Sequence, residues 1–119
     1  MDSKKSGTDA ENYAWHWLIK QGLKPVKRNY LCKMGEIDLI LLDSNVLVFT
    51  EVRLRKSRFY GGAANSVNYH KQQKIIKTAQ HFLMTHSAFQ QYDCRFDVIA
   101  FEIASESNEP VWYKDAFRL

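Results

Sequence analysis

Cysteine is scarce in this sequence, and long apolar runs are absent. The 119 residues include two cysteines, Cys32 and Cys94, which are far apart and have neither CxxC spacing nor neighbouring histidines. This pattern argues against a disulfide framework or a zinc site and predicts free thiols in a reducing compartment. No apolar run approaches the roughly 20 residues that cross a bilayer, and the amino-terminal segment lacks the apolar core of a signal peptide. We therefore expect a cytoplasmic protein without a membrane partner.

Internal repeats and low-complexity tracts are also missing. The length suits one domain with a modest core, residues 1–119, and a hydrophobic content of 45% is ordinary for a globular protein. Residues 1–6 are polar, and we expect them to be loose. Three of the four histidines lack HExxH or similar ligand spacing, so we interpret them as surface residues; they are His70, His81 and His86.

The sequence does contain two short apolar runs, residues 37–42 and 46–52, separated by turn-forming residues. Runs of this length and composition predict a buried β-hairpin. If Ser44-Asn45 is a two-residue turn, Asp38 lies directly opposite Glu51. Glu36 then faces Arg53, further from the turn. A three-residue loop without a bulge would place Asp38 opposite Thr50 and send Glu51 to the other face of the sheet.

Asp38 and Glu51 are charged positions inside these apolar strands. A half-buried carboxylate costs on the order of several kcal/mol unless it is paired or bound to a metal. Opposed residues have Cβ atoms about 5 Å apart, so two carboxylates there either share a divalent cation or repel each other. Oxygen ligands suit Mg²⁺ or Mn²⁺, which can activate water beside a phosphodiester. The alternative is that both acids pair with nearby arginine or lysine.

Positive charge follows the second strand of the hairpin. The net charge is +4 and the pI about 9.1, values that permit binding to a polyanion. The cationic candidates for binding nucleic acid are Arg55, Lys56, Arg58, Lys71 and Lys74. A cation-rich flank beside an acidic centre would neutralise the phosphates that a metal leaves uncovered. The alternative interpretation is a solvated run of charge. Tyr60 either stacks on unpaired bases or anchors its loop to the domain.

The remaining segments predict an α/β domain. Apolar residues at helical spacing predict a helix from about residue 10 that ends at Gly22, and a second helix over residues 68–86. Strands are predicted over residues 25–33, 95–102 and 111–113. The order αβββαββ indicates one mixed sheet with helices packed on it. On the first of these strands, alternation would place Val26, Arg28 and Tyr30 on one face.

Two further acids have open interpretations. The segment Thr8-Asp9-Ala10-Glu11 fits a capping box, in which Glu11 reaches back to the amide of Thr8, and the alternative for Glu11 is a role at the acidic centre. Asp97 lies near the start of the strand over residues 95–102. We predict that it caps a loop or pairs with an arginine and does not join the centre.

In combination, these motifs resemble the YraN family of predicted endonucleases. That family belongs to the PD-(D/E)XK nuclease superfamily and is similar to archaeal Holliday junction resolvases. The resemblance rests on GEIDLI at residues 35–40, FTEVRxR at residues 49–55, YG at residues 60–61, GxxxE at residues 7–11 and CRFDV at residues 94–98. It covers nearly the whole chain.

The resemblance implies a restriction-endonuclease-like core that hydrolyses DNA with Mg²⁺ or Mn²⁺. It implies Asp38 and Glu51 as metal ligands and Glu11 as a further acidic member of the site. Branched or single-stranded DNA is the implied substrate. Because the chain is small, a homodimer is our hypothesis for grasping a symmetric junction.

Arg53 departs from the superfamily pattern, which has lysine two residues after the glutamate. Lysine can lose its proton and act as a base, whereas arginine stays charged and only donates hydrogen bonds. Arg53 is then expected to steady a phosphate or orient water. Base catalysis would fall to metal-bound hydroxide or to a lysine from elsewhere, such as Lys71 or Lys74. The alternative is a nucleic-acid-binding module that keeps the nuclease fold without its chemistry.

Overall fold

The computed structural model describes residues 7–55, 67–102 and 109–118, which form two helices, five strands and a short 3-10 helix at Ser87–Phe89. In chain order the main elements are α1 (Gly7–Lys20), β1 (Lys24–Cys32), β2 (Gly35–Asp43), β3 (Val46–Arg55), α2 (Tyr69–Thr85), β4 (Asp93–Glu102) and β5 (Val111–Phe117). This confirms the predicted α/β class and the order αβββαββ.

The strands form one mixed sheet in the order β1-β2-β3-β4-β5. Neighbouring strands are antiparallel except β3 and β4, which are parallel and are connected through α2. Parallel neighbours need such a crossover, because a tight turn can join only antiparallel strands. The strand β1 is therefore an edge strand, and β3 is the middle strand of the sheet.

Each helix covers one side of the sheet. The face of α1 that contains Ala10, Ala14 and Leu18 is fully buried against a cluster that includes Leu39 and Val48. On the other side, four residues of α2 pack against an aromatic cluster with members from β1, β3 and β4. These α2 residues are Ile75, Ile76, Ala79 and Phe82. Burial of both faces explains why the central strands are apolar almost without interruption.

The helix ends follow local sequence signals, with one exception. Gly22 has φ 106°, and the amide of Leu23 donates to the carbonyl of Leu18, so a Schellman motif ends α1 as predicted. The side chain of Asn68 caps α2. The exception is the predicted capping box at the start of α1, and this prediction was wrong. The helix α1 already begins at Gly7, so Thr8 lies within it and is not its cap.

The expected alternation on β1 was also wrong. Val26 and Tyr30 pack in the cluster beneath α2, whereas Arg28 donates to Asn12 of α1 on the opposite side. The register shifts between Pro25 and Lys27, and Asn29 has a left-handed φ of 50°. A bulge and a left-handed residue each reset the two-residue period of a strand.

Two of the histidines are not surface residues, contrary to our interpretation. His81 and His86 are half-buried; a ring nitrogen of His81 is hydrogen bonded to the hydroxyl of Tyr30, and His86 stacks on Phe82.

Both cysteines are free thiols, as predicted. In the part of the chain that the structure describes, no helix has the length and apolar character needed to cross a membrane.

Candidate active site

The hairpin formed by β2 and β3 has the register that opposes Asp38 and Glu51. Asp43 pairs with Val46, and the ladder continues to Leu39 opposite Thr50. A two-residue turn at Ser44-Asn45 produces this register, and Ser44 takes the left-handed φ of 55° that such turns require. The next opposed positions along the ladder are Asp38 and Glu51. The alternative with a three-residue loop is therefore excluded.

At these two positions the carboxylates take over the hydrogen bonds of the backbone ladder. The amide of Val52 donates to Oδ2 of Asp38 at 2.8 Å, and the amide of Asp38 donates more weakly to Oε2 of Glu51 at 3.4 Å. The strands therefore separate just beyond Leu39 and Thr50, and the two acids lie in the gap. This geometry ties each carboxylate to the backbone of the other strand, which fixes their separation.

Burial leaves the two acids strongly perturbed. Glu51 is only 6% exposed, and burial together with the charge of Asp38 raises its pKa to about 8. Burial also raises the pKa of Asp38, to about 6, against the opposing effect of its hydrogen bond from Val52. Two interacting carboxylates titrate as a pair, so the pair holds a proton near neutral pH when no cation is present. Such perturbation is typical of functional sites.

Arg53 offsets only part of the negative charge of Asp38 and Glu51. Its Nη2 lies 3.4 Å from Oε1 of Glu51, and its charge lowers the pKa of both Glu51 and Asp38. The pKa values nevertheless stay high, because burial, the largest cause of both shifts, outweighs the charge of Arg53. Within the described residues, Nε of Arg53 is buried and has no hydrogen-bond partner. The ion-pair alternative therefore explains this site incompletely.

Two more acids act on the pair electrostatically. The charge of Glu11, on α1, raises the pKa of Asp38, and the charge of Glu36, an exposed residue of β2, raises the pKa of both acids of the pair. The carboxylate of Glu11 does not return to Thr8 but accepts a hydrogen bond of 2.9 Å from the side-chain amide of Asn29. This hydrogen bond connects Glu11, on α1, to β1.

The donor set fits a hard divalent cation. Asp38 and Glu51 supply only oxygen atoms, and a cation would offset the cost of burying their negative charges, which is the main cause of their raised pKa values. Among the residues that the structure describes, no group of three or more histidine, cysteine, aspartate or glutamate side chains is arranged to hold a metal. Two carboxylates completed by water and substrate phosphate are a usual arrangement for Mg²⁺.

The predicted nucleic-acid contacts divide into two groups. Lys71 and Lys74 are exposed on the first half of α2. Gly35 lies against this helix, since a side-chain carbon at Gly35 would be 3.9 Å from Cβ of Lys74. Lys74 is therefore beside the start of β2, three residues before Asp38. The other candidates are untested, because Lys56, Arg58, Tyr60 and the side chain of Arg55 lie outside the described residues.

The hydrogen bond from Asn29 to Glu11 was not predicted from the sequence. The available signal is weak. Asn is one of the few residue types that adopt left-handed backbone readily, but nothing in a strand-like segment shows which residue will do so. By contrast, Asp97 pairs with Arg95 as predicted and has no contact with the acidic pair among those described.

These observations define the class of protein. It is an α/β domain with a five-stranded mixed sheet and a pair of acids in a hairpin whose two strands separate beside them. A family model described as "Uncharacterised protein family UPF0102" matches residues 10–101. The chain therefore belongs to the UPF0102 family. This is the same family as YraN, whose motifs the sequence resembles.

Relatives of the same description cover almost the whole chain. A "UPF0102 protein" of Alcanivorax borkumensis is 51% identical over 117 residues, which cover 96% of this chain and 92% of the relative. The relative from Saccharophagus degradans is 50% identical, over 97% of this chain and 94% of the relative. The relative from Stutzerimonas stutzeri is 42% identical, over 98% of this chain and 97% of the relative. These names describe no activity.

Proposed function

We propose that this protein is a Mg²⁺- or Mn²⁺-dependent DNA endonuclease with a PD-(D/E)XK-like site. The observation that carries the proposal is the opposed pair of carboxylates, those of the buried Glu51 and the half-buried Asp38, which replace the ladder hydrogen bonds between β2 and β3. A purely structural role is a weak explanation, because the repulsion between these acids is only partly offset by Arg53.

Each residue of the site has a definite part in this proposal. Asp38 and Glu51 would hold the cation, and Glu11 would orient water beside it. The bound cation would supply an activated water and neutralise charge on the scissile phosphodiester. Arg53 would donate hydrogen bonds to that phosphate, since a guanidinium is not a proton acceptor. Lys71 and Lys74 would contact the flanking DNA backbone.

Arg53 also supports a second candidate, a nucleic-acid-binding module that retains the fold without catalysis. The guanidinium contacts Glu51 and cannot serve as the base that lysine supplies in the superfamily pattern. Such a module would bind DNA with strong salt dependence but would not cut it. The two candidates therefore differ in cleavage and not in binding.

The test is cleavage of labelled four-way, flap, single-stranded and duplex DNA in Mg²⁺ or Mn²⁺. We expect wild-type protein to cut at least one of the branched or single-stranded forms. Asp38→Ala should lower the rate by about 10³-fold, since a metal contributes several kcal/mol to such a step. Binding without cleavage in either metal, together with no detectable metal affinity, would favour the binding module.

Lys74 should contribute to the affinity of the protein for DNA. A lysine that contacts phosphate changes the slope of log affinity against log salt by about one unit when it is removed. We expect Lys74→Ala to produce this change in fluorescence anisotropy titrations. Lys24→Ala is the matched control, because Lys24 is an exposed lysine at the opposite end of the sheet, paired with Leu42. Equal slopes for all three proteins would show that Lys74 does not contact DNA phosphate.

We also propose that the protein acts in the cytoplasm as a homodimer on symmetric branched DNA. A domain of this size has room for one acidic centre, whereas a junction presents two equivalent strands. Sedimentation with and without a four-way junction tests the assembly. A monomeric mass in the presence of the junction would contradict it.

A further inference from the structure

Asn29 occupies a distinctive position on the edge strand β1. The residues on either side of it pair regularly with β2: Arg28 pairs with Leu39, and Tyr30 pairs with Ile37. Asp38 is therefore the residue that faces Asn29, yet these two are not a ladder pair. Asn29 has φ 50°, a conformation that asparagine tolerates better than most residues. The interruption in β1 thus coincides with the acidic position of β2.

The side chain of Asn29 connects this interruption to α1. Its Nδ2 donates to Oε1 of Glu11 at 2.9 Å, across 18 positions of sequence. An amide orients a carboxylate without cancelling its charge, whereas lysine or arginine would neutralise it. The bond uses one carboxylate oxygen, so the other remains available to a water molecule.

We propose that Asn29 is a positioning residue of the metal centre, whose side-chain amide holds Glu11 at the edge of the Asp38–Glu51 pair. The proposal rests on the proposed metal-dependent function. In this arrangement Asn29 touches neither metal nor substrate, and it acts through Glu11. Groups that orient metal-site acids in this way typically contribute about 10- to 100-fold to metal affinity.

The test is Mn²⁺ affinity measured by electron paramagnetic resonance on the full chain, without DNA. Asn29→Gly removes the amide and keeps the left-handed backbone free of strain, so we expect about tenfold weaker binding. In a Glu11→Ala background the same substitution should have no further effect, because Asn29 acts through that acid. A merely structural role would weaken both backgrounds equally.

Asn12→Ala is the matched control. Asn12 accepts a hydrogen bond from Arg28, so this variant loses a neighbouring contact between α1 and β1 without touching an acid. We expect its Mn²⁺ affinity to equal that of the wild type. Circular dichroism checks that each variant folds, and Asn29→Ala is the second variant if the glycine loosens β1.

The outcomes separate this inference from the function on which it rests. Wild-type protein that binds Mn²⁺, with unchanged affinity in folded Asn29→Gly or Asn29→Ala, would overturn the role of Asn29 alone. Wild-type protein that binds no Mn²⁺ would overturn the metal-dependent function and this inference with it. Weaker binding in Asn12→Ala to the same degree would show that the interface matters and not the amide.

Discussion

Glu51→Gln will make the protein more stable at alkaline pH while removing the DNA cleavage that we propose. The pKa of Glu51 is raised from 4.5 to about 8, so folding disfavours its ionised form. The direction of the change in stability with pH follows from the difference between the pKa of Glu51 in the folded and in the unfolded state. Below about pH 4.5 the carboxyl is protonated in both states and stability is unaffected, and stability then falls as the pH rises to about 8. Glutamine has no charge to bury and escapes this loss.

We expect the free energy of unfolding of Glu51→Gln to exceed that of the wild type by about 2 kcal/mol near pH 8.5 without divalent cations. Near pH 4.5 the two proteins should be equally stable. Cleavage by the variant should fall by about 10³-fold if the proposed function holds, because one of the two proposed metal ligands loses its charge. Urea denaturation at several pH values measures the first effect, and a DNA cleavage assay measures the second.

The groups that face Glu51 determine how specific this result is. Asp38 and Glu36 raise its pKa, whereas Arg53 lowers it. Glu36→Gln makes the same change of charge at an exposed position nearby, so it is the control, and it should keep most of the wild-type pH dependence. A Glu51→Gln variant that is less stable than wild type at pH 8.5 would show that Arg53 compensates the buried charge fully.

The hairpin could be predicted from the sequence in detail because its determinants are local. A two-residue turn at Ser44-Asn45 fixes the register of every pair that follows, and that register opposes the two acids. The helices were predicted for a similar reason, since the periodicity of apolar residues and the cap at Gly22 involve neighbouring residues.

The rest of the site depends on contacts between distant segments. Sequence alone gave Glu11 two plausible partners, a local amide and the acidic centre, and the actual partner is Asn29 on another element. The left-handed backbone of Asn29 in a strand, and the bulge between Pro25 and Lys27, have no local signature that distinguishes them from regular strand. Tertiary packing determines them, so periodicity assigned the faces of β1 wrongly.

Asp97→Asn should be among the most destabilising substitutions of the domain. Asp97 is fully buried in β4 and accepts two hydrogen bonds of 2.9 Å from Arg95, one from the indole of Trp112 and one from the amide of Asp115. Arg95 also donates to Asp43 at 3.1 Å, so the network joins β4 to both β5 and the hairpin turn. Asparagine has one acceptor oxygen, so it leaves buried donors unsatisfied and Arg95 without its closest counter-charge.

Breaking a buried ion pair on one side costs about 3–5 kcal/mol, and we expect this loss in urea denaturation of Asp97→Asn. Asp115→Asn is the control, because that side chain forms an exposed ion pair with Arg118 and should change stability far less. In the sheet, Asp97 pairs with Thr50, which directly precedes Glu51. If Asp97→Asn keeps wild-type stability but loses Mn²⁺ affinity, this carboxylate serves the acidic centre and not the junction of β4, β5 and the hairpin.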